Sequence, residues 1–428
     1  MMERPFFGFG RPKLKYAEIE RLTQPDIRQV PVPAQITVFL DHAAEVKDLG
    51  LRQGTEVKTG EKLALYKDKK GYLIAPATGT IQNISENRTY TDRRFLAITI
   101  DTKGKDRWDT QFIDEAESPP GPENALAYLA FLPGISDFTS LIRMDNPLHT
   151  LIVNGTDPDL LVLTNQLVIN TRPEEIKEGL SHLSKVTGAS RVILVVPPNL
   201  RLQAEKVGAE IRVIDPVYPN TLPRLMVQGV LNQTVPANGT LTDLGIGIIS
   251  AEAVLALKTA FTDKTLPVEK LISVIDKDNG VTCARARIGT PVREILSTLN
   301  ISTQQGDRIV FGGPMTGHGV YSEDMPVLHH TDAILIQDKS RVVPSSDSSC
   351  INCGECVRAC PARLPVNMLV RLLENGLYEE AAQTYDLLSC VECGLCSYVC
   401  MVHIPVFHYM MLGKHELALR EAMEESNG

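Results

Sequence analysis

Eight of the nine cysteines in this 428-residue chain form two copies of one pattern within its last fifth. The first copy is Cys350, Cys353, Cys356 and Cys360, with Pro361 directly after it. The second is Cys390, Cys393, Cys396 and Cys400. Each reads C-x2-C-x2-C-x3-C, the bacterial spacing for a four-iron, four-sulfur cluster. In two-cluster proteins the fourth cysteine of such a run ligates the other cluster. The expected ligand sets are therefore crossed. Cys350, Cys353, Cys356 and Cys400 hold cluster 1; Cys390, Cys393, Cys396 and Cys360 hold cluster 2. Two adjacent clusters make a short electron wire.

The spacing has a physical reason. Two-residue gaps let a tight loop aim three thiolates at three corners of a cube, and a distant fourth cysteine closes the remaining corner. Gly354 and Gly394 follow the second cysteine of each run, where the loop needs a positive φ or close backbone approach. Zinc takes only four ligands, usually from paired C-x2-C knuckles, and leaves the third cysteine of each run without a role. Disulfides require an oxidising compartment, and nothing at the N-terminus suggests export. Cys283 stands apart in a strand-like stretch and reads as a small buried hydrophobe.

Length allows about three domains. The net charge of −9 argues against a nucleic-acid partner. No run approaches eighteen uninterrupted apolar residues, so no membrane span is expected. The expectation is a cytoplasmic protein, with docking on a membrane complex open to it through protein contacts.

From Pro31 to about Thr102, short apolar runs alternate with glycine, as in a small all-β module. Asp114 to Pro122 is acidic and proline-rich, a linker. An α/β alternation follows, with strands at 148–153, 191–196 and 211–214. The predicted helices are Arg172 to Val186, carrying Ile176, Leu180 and Leu183 at helical spacing, and Ala251 to Phe261. That order implies a mostly parallel sheet faced by helices. A second β-rich piece runs from Val268 to about Val343, and Pro344 to Ser349 is a serine-rich linker. Between the cysteine runs, Val366 to Leu373 and Tyr378 to Leu388 are helical, which favours an all-helical ferredoxin. The expected segments are 1–30 (N-terminal extension), 31–113, 123–266, 267–343 and 350–428.

Several phrases carry resemblances. Val57 to Leu63 followed by Leu73 to Ile81 resembles the biotinyl/lipoyl-type barrel-sandwich hybrid. The turn between those phrases holds Lys67, Asp68, Lys69 and Lys70, without the carriers' M-K-M or D-K setting, and reads as a solvated turn. The order of modules, R-I-G-T-P at Arg287 to Pro291, G-G-P-M-x-G at Gly312 to Gly317, and the cysteine runs resemble the RnfC family of the Rnf electron-transport complexes. RnfC is the peripheral part of a membrane ferredoxin:NAD oxidoreductase. The resemblance implies a multidomain α/β, β and α chain. Its parts would be a barrel-sandwich hybrid, an α/β domain like the NADH-binding subunit of complex I, a soluble-ligand-binding β-grasp (SLBB-like), and a helical dicluster ferredoxin. It also implies membrane-embedded or flavoprotein subunits, or soluble ferredoxin, as partners.

The resemblance thins where NADH oxidation belongs. The family cradles FMN with G-x-G-G-A-G-F-P, whose glycine amides approach the flavin and its phosphate. The matching stretch here is Phe131 to Phe138, which keeps only Gly134 among the glycines and places Pro133 and Asp137 in the loop. Arg143 stands for the family's phosphate-binding lysine. The family's N-G-A-E-C-E-P becomes Asn154-Gly155-Thr156-Asp157-Pro158-Asp159-Leu160, with both acids one methylene shorter. Gly134, Arg143, Asn154, Asp157 and Asp159 are thus the candidate remnant of an FMN/NADH site.

Two readings follow. One is a peripheral electron-transfer subunit that relays electrons through two four-iron clusters. The other is an FMN-containing NADH dehydrogenase subunit of the Rnf kind. A quinone- or cobalamin-reducing relative is a third class. Met401 takes the place of proline after Cys400, with His403 and His408 nearby as surface or packed side chains. Phe6 to Pro12 reads as an extended tail.

Overall fold

The computed structural model describes residues 12–22, 26–41, 50–64, 71–88, 94–115, 120–143 and 147–427. The Phe6 to Arg11 part of the tail, the Lys67–Lys70 turn and residues 116–119 of the acidic linker lie outside the described residues.

Strand β1 (Arg28–Gln29) precedes the first β module. That module holds β2 (Gln35–Asp41), β3 (Glu56–Val57), β4 (Lys62–Ala64), β5 (Tyr72–Ile74), β6 (Gly79–Arg88) and β7 (Arg94–Thr102). One sheet runs β2-β7-β6-β3, and β4 pairs with β5. The period of two is visible in β2, where Ile36, Val38 and Leu40 are buried and pack with Ile98 and Ile100. A Cβ at Gly79 would lie 2.1 Å from the carbonyl oxygen of Asp101, so only glycine can begin β6.

Helices α1 (Gln111–Glu115) and α2 (Pro122–Tyr128) lead to the α/β module. It contains β8 (Thr150–Asn154), α3 (Thr164–Thr171), α4 (Pro173–Thr187), β9 (Arg191–Val196), α5 (Arg201–Glu205), β10 (Glu210–Val213), α6 (Pro223–Leu231), β11 (Ile246–Ser250) and α7 (Ala251–Phe261). The strands are all parallel in the order β10-β9-β8-β11. All five residues of β8 are buried, as a central parallel strand covered on both faces must be. Helix α4 turns Ile176, Leu180 and Leu183 inward and packs on α7. Gly179 makes that approach possible, because a Cβ there would stand 2.2 Å from the carbonyl oxygen of Val254. Gly188 ends α4 in the left-handed region.

A six-stranded mixed sheet follows, with β12 (Glu269–Ile275), β13 (Val281–Arg287), α8 (Val292–Thr298), β14 (Arg308–Phe311), β15 (His318–Val320) and β16 (Ala333–Gln337). Its order is β1-β13-β12-β16-β14-β15, so the chain ahead of the first module adds an edge strand here. Cys283 sits in β13 and is buried, and burial pushes its thiol up to about 12. The described N-terminal residues are pinned to the α/β module: Lys15 bridges Val217, and Tyr16 N donates to Pro216 O at 3.0 Å. The C-terminal part is helical, with α9 (Glu355–Ala359), α10 (Val366–Glu374), α11 (Tyr378–Gln383), α12 (Leu395–Tyr398) and α13 (Val406–Asn427). Among the described residues, no helix is long and apolar enough to cross a membrane.

Candidate metal centres

The helical part repeats itself with an offset of forty residues. Cys350, Cys353, Gly354, Cys356 and Cys360 recur as Cys390, Cys393, Gly394, Cys396 and Cys400, and Leu364-Pro365-Val366 recurs as Ile404-Pro405-Val406. The backbone repeats with it. Positive φ falls at Asn352, Gly354 and Arg363 in the first copy, and at Glu392, Gly394 and His403 in the second. Each copy then enters a helix at the valine, α10 or α13. Two residues in the left-handed region around the second cysteine curl the loop, so that its amides and thiols turn toward one side.

The thiols assemble in crossed sets. Cys350, Cys353, Cys356 and Cys400 line one small enclosed cavity, closed by Ile404 and Val406. Cys360 stands with Cys390, Cys393 and Cys396, near enough for its charge to raise their pKa values. Burial is the larger cause of that rise: Cys356 is pushed up to about 11 and Cys393 to about 12. Burial thus favours the protonated thiol at Cys356, Cys390, Cys393 and Cys396, and a metal bound there would displace those protons. All nine cysteines are free thiols. Among the described residues, no three of the His, Cys, Asp or Glu side chains converge tightly enough for one metal ion. A tetrahedral zinc would bring sulfurs to about 3.8 Å of each other. The donor type and number in each set are those of a four-iron cluster.

Carbonyls around each set are held by side chains. Arg358 donates to Cys353 O at 3.1 Å, Lys414 to Cys390 O at 3.1 Å, and Tyr218 to Cys393 O at 2.6 Å. Leu364 N donates to the Cys360 sulfur at 3.4 Å. His403 N meets Cys400 O at 3.3 Å, and its own carbonyl accepts from Ser346 N. His408 lies in the first turn of α13, and Met401 is partly exposed.

The second set is enclosed by the rest of the molecule. Cys393 and Leu395 are buried in one cluster with Leu14, Tyr16, Tyr218 and Leu222, and Met315 packs against it. A Cβ at Gly394 would lie 2.6 Å from Met315 O, so the second loop rests directly on the Gly312–Gly317 phrase. That phrase is held in turn by Asp159. Its carboxylate accepts from Met315 N at 3.1 Å and from Thr316 N and Oγ1, each at 2.7 Å. Asp157 is also committed, accepting from Thr164 Oγ1 at 3.1 Å and Asn165 N at 2.9 Å at the start of α3. Burial pushes Asp157 up to about 7 and raises Asp159 as well. The Asn154 side chain accepts from Thr156 N at 2.9 Å.

The residues expected to cradle a flavin do not fit one as they are arranged. Gly134 N donates to His329 O at 2.7 Å and Phe138 N to Ala130 O at 3.1 Å, so these amides are spent. A Cβ at Gly134 would come within 2.5 Å of Ser250 Oγ and 3.0 Å of Glu252. Arg143 is not brought to this place. It donates to Thr242 O at 3.2 Å, before β11, whereas Gly134 lies beyond the other end of that strand.

One group gave no sequence signal. Lys270 is wholly buried, bonded to Glu252 and to Asp332 at 3.0 Å, beside Gly134. Burial alone would lower Lys270, but the two carboxylates outweigh it; burial raises Glu252 against the pull of Lys270. A lysine between Glu269 and Leu271 reads as a surface residue, and tertiary packing that brings Glu252 of α7 and Asp332 to it covers it.

Mixed α/β sheets are joined to a helical part that presents two four-thiol sets of the kind that hold four-iron clusters. The family described as 4Fe-4S dicluster domain matches residues 349–404. The C subunit of the ion-translocating oxidoreductase complex of Erwinia tasmaniensis is 26% identical over 379 residues, 83% of this chain and 47% of that protein. The protein of the same description from Rhodobacter capsulatus is 26% identical over 392 residues, 84% of this chain and 73% of that one. The resemblance to RnfC therefore holds over most of the chain. The chain spans about half the length of the Erwinia relative. Among solved structures, an NAD+-reducing NiFe-hydrogenase in the air-oxidised state aligns with a TM-score of 0.44 at 12% identity, covering 69% of this chain and 63% of that one.

Proposed function

We propose that this chain is the peripheral electron-transfer subunit of a membrane-associated oxidoreductase complex, passing electrons through two four-iron clusters to or from partner subunits. The observation that carries this reading is the crossed convergence of the eight cysteines. Cys350, Cys353, Cys356 and Cys400 would hold the outer cluster, and Cys390, Cys393, Cys396 and Cys360 the inner one. Bound there, the clusters supply one-electron chemistry. The chain's own residues position the thiolates, and they tune the potential through amide bonds to sulfur and through burial.

The sheet arrangements support the finer labels: a barrel-sandwich hybrid at 31–113, a complex I-like α/β domain at 123–266, an SLBB-like β-grasp at 267–343 and a helical ferredoxin at 350–428. Partners would be membrane-embedded or flavoprotein subunits on the inner face of the membrane, or a soluble ferredoxin. Spent amides at Gly134 and Phe138, and the structural duties of Asp157 and Asp159, favour a relay fed by another subunit over an FMN-containing NADH dehydrogenase.

The test is reconstitution of the purified chain with iron and sulfide. Two clusters reducible by dithionite, with no retained flavin and no bleaching by NADH, support the relay. Tight flavin with NADH-dependent bleaching would sink it.

A further inference from the structure

Between α3, α7 and the face of β12–β13 lies a cavity of about 380 Å3, outside both thiol sets and away from the acidic pair. Its polar wall carries Arg172, Arg285 and Arg287, and its apolar wall includes Leu255, Leu266 and Trp108. The carboxylates on the wall are spoken for. Glu252 is bonded to Lys270, Asp263 to Lys258 at 2.8 Å, and Glu269 to Gln29 at 3.3 Å. Arg287 is held by Asp106 and by Pro76 O at 3.2 Å.

Arg285 differs. It is partly buried in the middle of β13, and its guanidinium makes no hydrogen bond or ion pair among the described residues. Burial lowers its pKa and nearby Arg172 lowers it further, against the pull of Glu269, Glu252 and Glu175 at longer range. Among the described residues Arg172 reaches Glu175, at 3.5 Å. A partly buried guanidinium with five unused donors beside a second cation offers hydrogen bonds to an anion that enters the cavity. Planar guanidinium forks match phosphate oxygens. The volume is at the lower end of small-molecule sites and larger than one phosphate fills, and half the wall is apolar or aromatic.

We propose that this cavity binds a small phosphorylated organic molecule, its phosphate on Arg285 and Arg172 and its apolar body against Leu255, Leu266 and Trp108. Trp108 is the single tryptophan of the chain, and its ring lies 5.8 Å from the Arg287 guanidinium, so its fluorescence reports on the site.

The test titrates the full, cluster-loaded chain with phenyl phosphate, inorganic phosphate and phenol at constant ionic strength, exciting Trp108 at the red edge of its absorption. Phenyl phosphate changes the signal saturably, inorganic phosphate binds more weakly, and phenol gives no saturation. Arg285→Gln weakens phenyl phosphate at least tenfold, Arg285→Lys recovers part of it, and Arg285→Gln without ligand is no less heat-stable than the parent. Equal binding by Arg285→Gln and the parent, or no saturation by phenyl phosphate, would overturn the site. Saturation by phenol alone would make it a plain apolar cavity and overturn it too.

Discussion

The two cysteine loops share one backbone and have unlike surroundings. Gly354 and Gly394 take nearly the same positive φ, 74° and 69°. Among the described residues, a Cβ at Gly354 would meet the guanidinium end of the exposed Arg358 side chain at 3.3 Å, while at Gly394 the backbone carbonyl of Met315 stands at 2.6 Å. The carbonyl of Cys353 is held by an exposed arginine, that of Cys393 by the buried Tyr218. Cys353 is exposed and Cys393 buried. The lesson is that local sequence sets the ligand geometry of a cluster loop, whereas the modules packed on it set its solvent exposure and hence much of its potential.

The largest expected contrast is between the two glycines. Gly354→Ala costs about 1–2 kcal/mol, the ordinary charge for alanine in the left-handed region. Gly394→Ala carries that strain and also drives a Cβ into backbone that cannot yield, so its loss is greater. Denaturant midpoints of the two variants, with iron content after gel filtration, measure the difference. Equal losses would mean that the inner loop does not rest on Met315.

Asp159→Ala comes next. It strips the acceptor from Met315 N, Thr316 N and Thr316 Oγ1, which should cost about 3 kcal/mol. Because the Gly312–Gly317 phrase is what the inner loop leans on, limited proteolysis should then release the 350–428 region faster than in the parent. An unchanged digestion pattern would break the link between the acid and the inner loop.

Asp157 gives a smaller, pH-dependent effect. Burial raises its folded pKa from 3.8 to about 7, so between those values the native state holds a proton that the unfolded state has lost. Stability from this group is therefore greatest at low pH and falls as pH rises toward 7, by at most about 1.4 kcal/mol per pH unit. Asp157→Asn should flatten that slope in denaturant midpoints taken from pH 5.5 to 7. A slope identical to the parent's would place the titration elsewhere.

What the sequence disclosed and what it withheld divide along the same line. The cysteine spacing gave the crossed sets, and the apolar period of α4 gave a helix that differs from its prediction by one residue at each end. The forty-residue repeat was also present as letters, in Leu364-Pro365-Val366 and Ile404-Pro405-Val406, because both copies solve the same local problem. The partners of the inner loop were not legible. Tyr218 reaches Cys393 across 175 residues, and Asp159 reaches Thr316 across 157. An acidic pair that looks like the residue of a dinucleotide site turns out to cap α3 and to clamp a loop, and only tertiary packing reveals that use.

The inequality of the two loops is tested most directly by a potentiometric titration followed by electron paramagnetic resonance, on the reconstituted parent and on Tyr218→Phe. The substitution removes one hydrogen bond, worth about 1 kcal/mol, from the carbonyl of Cys393 alone. Two distinguishable clusters in the parent, with only one midpoint moved in the variant, is the predicted result. Two clusters that shift together, or a single cluster that ignores Tyr218, would contradict it.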